Sequence, residues 1–108
     1  MAPPLLSGSL ELILLAIIAA GPRYGLEIIT EANERTNGYF AFKEGSLYPA
    51  LHRLEKTRLI KGEFAPSDRG GPRRRYYSLT ALGRKRLAEK RGEWAEFTRA
   101  VESLIGVE

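Results

Sequence analysis

The sequence predicts a mainly α fold with a small β-hairpin and a long terminal helix. Three observations predict it. Three helix-like segments fill the first sixty residues, separated by Gly21-Pro22 and by Gly38 with its aromatic run. Two short alternating segments then flank a turn-rich stretch, Pro66 to Pro72. Beyond Thr80, Leu87, Trp94 and Val101 recur every seven residues.

Met1 to Leu6 reads as a loose arm kept extended by Pro3 and Pro4. Ser7 or Ser9 can cap a first helix over Leu10 to Ala20, which is apolar nearly all round and therefore central to a core. This run is far shorter than the ~20 residues that span a bilayer. It also lacks the preceding positive charge of a secretory signal. A second helix is expected from Tyr24 to Asn37, with Ile28, Ile29 and Ala32 inward and Gly38 as the left-handed residue after its end.

The third helix starts at Gly45 or Ser46 and ends near Arg58. Leu47, Ala50, Leu51 and Leu54 make its apolar side. Pro49 falls in its first turn, where a missing N–H costs nothing. Tyr39 to Phe42 is an aromatic connector packed beneath it. Leu59 to Ala65 and Arg73 to Leu79 form the hairpin. In the second strand, Tyr77 and Leu79 share one face, Tyr76 and Ser78 the other. Thr80 can cap the last helix, Ala81 to about Ile105. Phe97 and Leu104 form a second seven-residue series with Lys90 as its polar member, giving a seam of about two and a half heptads. Three helices and then a hairpin is the order of a winged helix-turn-helix. Residues 1–80 are assigned to that DNA-binding domain and 81–108 to a C-terminal dimerisation helix.

The charge is distributed to match. Residues 1–51 carry a net −2, residues 52–80 a net +5 and residues 81–108 a net +1. The positive charge gathers on the end of the third helix and on the hairpin, a patch that suits a polyanion and equally, taken alone, a plain solvated surface. There is no cysteine, so disulfides and thiolate sites are excluded and a reducing cytoplasm is the expected compartment. His52 is the sole histidine and no carboxylates are spaced to join it, so no metal site is expected. No Ser-His-acid set and no phosphate-cradling glycine loop is present. Neither a catalytic residue nor a cofactor is expected.

Tyr24-Gly25, the run Gly45-Ser-Leu-Tyr-Pro-Ala-Leu-His-Arg-Leu-Glu55, Leu59-Ile60 and the run Gly70-Gly-Pro-Arg-Arg-Arg-Tyr-Tyr-Ser-Leu-Thr80 with Gly83 together resemble the PadR family of transcriptional regulators. The resemblance covers nearly the whole chain. It implies a homodimeric winged-helix repressor on palindromic operators, of the small subgroup in which one short C-terminal helix dimerises. Some relatives release DNA when a planar aromatic molecule binds near that interface.

On the residues themselves, Ser46, Tyr48, Pro49, His52 and Arg53 would enter a major groove of double-stranded DNA. Tyr48 has a second reading, packing on Tyr39 or Phe42. Arg69, Arg73, Arg74 and Arg75 are wing cations for phosphate, although Arg75 can instead point back over the sheet. Tyr24 either holds a phosphate at the start of the second helix or packs on the first helix, and Lys43 is a phosphate candidate on the same logic. Leu87, Trp94, Phe97, Val101 and Leu104 are the expected dimer seam. Trp94 is either an interface anchor or part of an aromatic-effector pocket. No membrane partner is expected. Two rivals to DNA reading are a winged-helix module that binds protein and one that binds RNA.

Overall fold

The computed structural model describes residues 6–66 and 70–106, the first three by their backbone alone. The elements are α1 (Leu6–Ala19), β1 (Arg23–Tyr24), α2 (Gly25–Arg35), α3 (Glu44–Lys56), β2 (Ile60–Ala65), β3 (Arg74–Leu79) and α4 (Ala81–Ile105). Of the expected arm Met1 to Leu6, all but Leu6 lies outside the described residues, as do the turn residues Ser67 to Arg69.

Helix α1 starts earlier than expected. Ser7 and Ser9 fall inside its span, so neither stands ahead of it at the expected cap position. Leu14, Leu15 and Ile18 are fully buried along it, and α2, α3 and the sheet close around them with Ile28, Leu47, Leu51 and Ile60. At the start of α2 the Glu27 carboxylate accepts the Tyr24 N–H at 3.1 Å. At its end Asn37 takes the left-handed conformation (φ 57°) ahead of Gly38 (φ 85°), and the Gly38 N–H reaches back to the Asn33 carbonyl at 2.8 Å. The expected glycine stop is therefore shared between two residues.

Helix α3 also begins a little early, at Glu44. Pro49 is then its sixth residue, in the second turn rather than the first. The Gly45 carbonyl loses its usual donor there. Both residues are exposed, so water can take the freed carbonyl. The chain leaves the helix end through Arg58, left-handed at φ 66°, with the Leu59 N–H bonded to the Leu54 carbonyl at 3.0 Å.

The sheet has three antiparallel strands in the order β1-β3-β2, one more than expected. The added strand is only Arg23–Tyr24, paired as Arg23↔Tyr77 and Tyr24↔Tyr76. The hairpin register runs from Ile60↔Leu79 to Ala65↔Arg74. Tyr77 is buried, and burial pushes its phenol pKa up, so it stays neutral.

Thr80 caps α4, as expected. Its Oγ1 accepts the Gly83 N–H at 3.0 Å and donates to the Arg58 carbonyl at 2.6 Å. A Cβ on Gly83 would collide with the Leu59 carbonyl oxygen, so α4 is seated against the end of α3 without slack. Farther along, Arg86 and Lys90 reach Glu11 of α1 at 3.8 and 3.7 Å. Lys90 thus faces the body of the molecule.

Candidate nucleic-acid interface

Burying Leu47, Ala50, Leu51 and Leu54 turns the opposite face of α3 to solvent. That face presents Ser46, Tyr48, Pro49, His52, Arg53 and Lys56, all exposed. Lys43 stands just ahead of the helix, where its carbonyl accepts the Leu47 N–H at 2.9 Å and its side chain is exposed. The helix N-terminus and a lysine therefore sit together.

Tyr48 follows neither of its two expected readings alone. Its ring leans on α2, where its hydroxyl occupies the space a Cβ of residue 25 would need. Gly25 is required there by close approach, and Tyr48 ties α3 to the start of α2 while remaining 43% exposed.

The wing cations divide by strand alternation. The hairpin turn uses Gly70 and Gly71, both left-handed (φ 76° and 86°). Arg69 lies outside the described residues. Arg73 is exposed, and its Nη2 donates to the Phe64 carbonyl at 3.1 Å. Arg74 lies 4.5 Å over the Tyr24 ring, which meets Tyr76 edge-on at 5.4 Å. Tyr24 therefore packs on β3, and the start of α2 is joined to the base of the wing.

Arg75 turns back over the sheet, the second of its two expected readings. Its guanidinium pairs with Glu55 of α3 and lies 5.3 Å from the Phe64 ring centre. The Glu55 hydrogen bond raises its pKa further, so it stays charged. Between α3 and the wing runs a cleft lined by Tyr48, Pro49, His52, Lys56, Phe64 and Tyr77, with the Glu55–Arg75 pair in it.

Sequence reasoning places Lys56 on the polar face of α3, but it missed Glu55, Phe64 and Tyr77 as residues of this cleft. The signal for Phe64 was its place in the strand pattern, an apolar side chain too near the turn to be covered. It is 59% exposed. Among the described residues no cluster of ligating side chains could hold a metal ion. No helix among them is long and apolar enough to cross a membrane.

The expected dimer seam splits. Leu87 is 4% exposed, held in the chain's own core, and so is not available to a partner. Trp94 and Phe97 stack at 5.8 Å and are 42% and 48% exposed. Leu104 is 87% exposed, and Val101 is half-buried.

The profile of the Transcriptional regulator PadR-like family matches residues 14–89. The chain belongs to the PadR-like family. The match opens on the buried Leu14 in the middle of α1 and ends two residues after Leu87, taking in the rest of the head. A PadR-like transcriptional regulator from Bacillus cereus is similar in structure, with a TM-score of 0.86 and 36% identity, covering 98% of this chain and 100% of that one. A PadR family transcription regulator from Clostridium difficile gives 0.81 and 34%, covering 92% and 100%. An uncharacterised protein from Lysinibacillus sphaericus is 39% identical over 98 residues, 91% of this chain and 89% of that one. PadR-like proteins regulate transcription by binding DNA, and DNA-binding regulation is the role that membership implies.

Proposed function

We propose that this PadR-like chain is a homodimeric repressor that reads a palindromic operator in the cytoplasm. The observation that carries this reading is the single exposed surface formed by α3 and the wing, polar and basic on both. The α3 face enters the major groove, where Ser46, Tyr48, His52 and Arg53 meet base edges or the adjoining phosphates. Arg73 and Arg69 take flanking phosphates from the wing. Lys43, and Tyr24 with Arg74 over it, take phosphates at the starts of α3 and α2. Residues 1–80 form the reading unit and α4 the dimerising one, with Trp94, Phe97, Val101 and Leu104 at the twofold axis.

Twofold pairing sets the half-sites about one helical turn, ~34 Å, apart. Selection from a random duplex pool at 150 mM salt tests this. Enrichment of an inverted repeat is the expected result. Retention without enrichment would leave backbone attraction alone and would favour a protein partner for the α3 face. With roughly six to ten phosphate contacts, affinity falls ~10³- to 10⁵-fold between 50 and 200 mM salt. A flat salt response would remove the wing arginines from the reading.

The exposed Trp94–Phe97 pair also suits a planar aromatic effector lodged between the two α4 helices. Such a ligand would change the separation of the two reading units and release DNA. Titration with aromatic compounds, followed by Trp94 fluorescence and by DNA affinity, checks this. No change in either would withdraw the effector.

A further inference from the structure

Three consecutive wing arginines would be expected to do the same work, and they do not. Arg73 is exposed toward solvent and Arg74 covers Tyr24. Arg75, on the opposite face of β3 from Arg74, is directed at α3. Three features converge on its guanidinium. The Glu55 carboxylate receives it, and both side chains are partly dehydrated, at 27% and 35% exposure. The ring of Phe64, its cross-strand partner, lies beneath it. Gly62, one step along the same face of β2, leaves the slot it fills: a Cβ there would stand 2.6 Å from Nε and 2.8 Å from Cζ. Gly62 has no positive φ, so its lack of a side chain answers to Arg75 and not to the backbone.

We propose that Glu55 and Arg75 are positioning residues that lock the wing to the reading helix, so that both meet DNA as one preformed surface. Only its consequence for affinity rests on the DNA reading above. The lock itself is a property of the free protein. Glu55 is the sole carboxylate lining the cleft among the described residues. A lone acid facing phosphate would weaken binding by repulsion. Held by Arg75, it instead removes the freedom of the wing, an ordering that DNA would otherwise have to impose on binding.

Gly62→Ala is the sharpest test, because it changes no charge and displaces only the far end of a flexible side chain. In Gly62→Ala and in Glu55→Gln, amide hydrogen exchange around Phe64 and Arg75 should quicken about tenfold. Exchange in α1 should hold at the wild-type rate. Affinity for the selected operator should fall about tenfold in both, with the slope of log affinity against log salt unchanged. Arg73→Ala is the contrast, expected to reduce that slope by ~0.9 for each phosphate the variant no longer neutralises. The double variant Gly62→Ala/Glu55→Gln should be little worse than either single one.

Unchanged exchange at the wing in both variants would overturn the lock. So would tighter operator binding by Glu55→Gln, the sign expected if Glu55 merely repels DNA. A smaller salt slope in Arg75→Gln would make Arg75 a phosphate contact. If the unaltered protein retains no duplex at all, the DNA reading fails while the exchange experiment still decides the lock.

Discussion

The head and the outer half of α4 treat apolar side chains in opposite ways. In the head, from α1 to Leu87, most of the large aliphatic residues face one another, Leu26 and Leu82 excepted, and what is exposed is mostly polar or basic. Past Leu87 the order reverses. Trp94, Phe97, Leu104 and Ile105 are 42 to 87% exposed on a helix whose neighbours have run out. The same heptad spacing runs through both halves, so spacing alone does not say who covers a residue. A seven-residue repeat places side chains on one stripe, and the length of the body beneath that stripe decides which are buried at home. The contrast teaches that the head is complete within one chain, while the end of α4 carries apolar surface that favours a cover from elsewhere.

The contrast can be broken most directly with one change made at two leucines. Leu51→Ala should lower unfolding stability by ~2–5 kcal/mol, since Leu51 is 1% exposed in the core. Leu104→Ala should cost less than ~0.5 kcal/mol in dilute protein held monomeric. Urea melts of the two variants measure both, and equal losses would mean that the seam packs within its own chain. Next in size, Trp94→Ala should raise the dimer dissociation constant about 30-fold or more in sedimentation equilibrium, as loss of an interface anchor does. A variant that stays dimeric at the same concentration would move the interface elsewhere.

The joint between the two halves is more modest. Thr80→Ala should cost about 1 kcal/mol, because it removes the cap of α4 and the bond to the Arg58 carbonyl together. Chemical denaturation measures it, and no loss would mean that Gly83 seating alone holds α4. The smallest effect is electrostatic and belongs to the head. Hydrogen bonding from Arg23 first, then from Arg35, holds the Glu31 carboxyl below its ordinary value of 4.5. A lowered folded pKa means stability that is present above that value and lost as pH falls through the lower one. Glu31→Gln should therefore flatten the acid side of the stability profile, and an unchanged profile would leave this cluster without weight.

Much of the architecture was legible because it rests on periodicity and on turn chemistry. Leu47, Ala50, Leu51 and Leu54 repeat at helical spacing and are buried as that spacing implies. Gly70-Gly71 marks the turn, and Thr80 the cap. What was not legible is set by distant partners. Arg23–Tyr24 is too short to show a pattern, and only β3 makes it a strand. The depth of Pro49 in α3 depends on a helix start shifted by one or two residues, which no side-chain pattern specifies. Leu87 and Trp94 look alike in the repeat and differ only in whether α1 lies beneath them. At the interface, the exposed face of α3 follows from its buried one. The separate duties of Arg74 and Arg75 follow from strand alternation, which turns one toward Tyr24 of β1 and the other toward Glu55 of α3.

The tight seating of Gly83 on the Leu59 carbonyl has a mechanical result. Helix α4 is 25 residues long, so it extends ~37 Å from a root that has no room to rock. It acts as a rigid arm with gearing: tilting it by ~5° swings its tip through ~3 Å, as its length requires. Run the other way, a displacement of ~3 Å imposed at the tip arrives at the head as a rotation of the same ~5°. In a paired molecule the packing of a few rings at the twofold axis would thus set the angle at which both reading helices face the duplex.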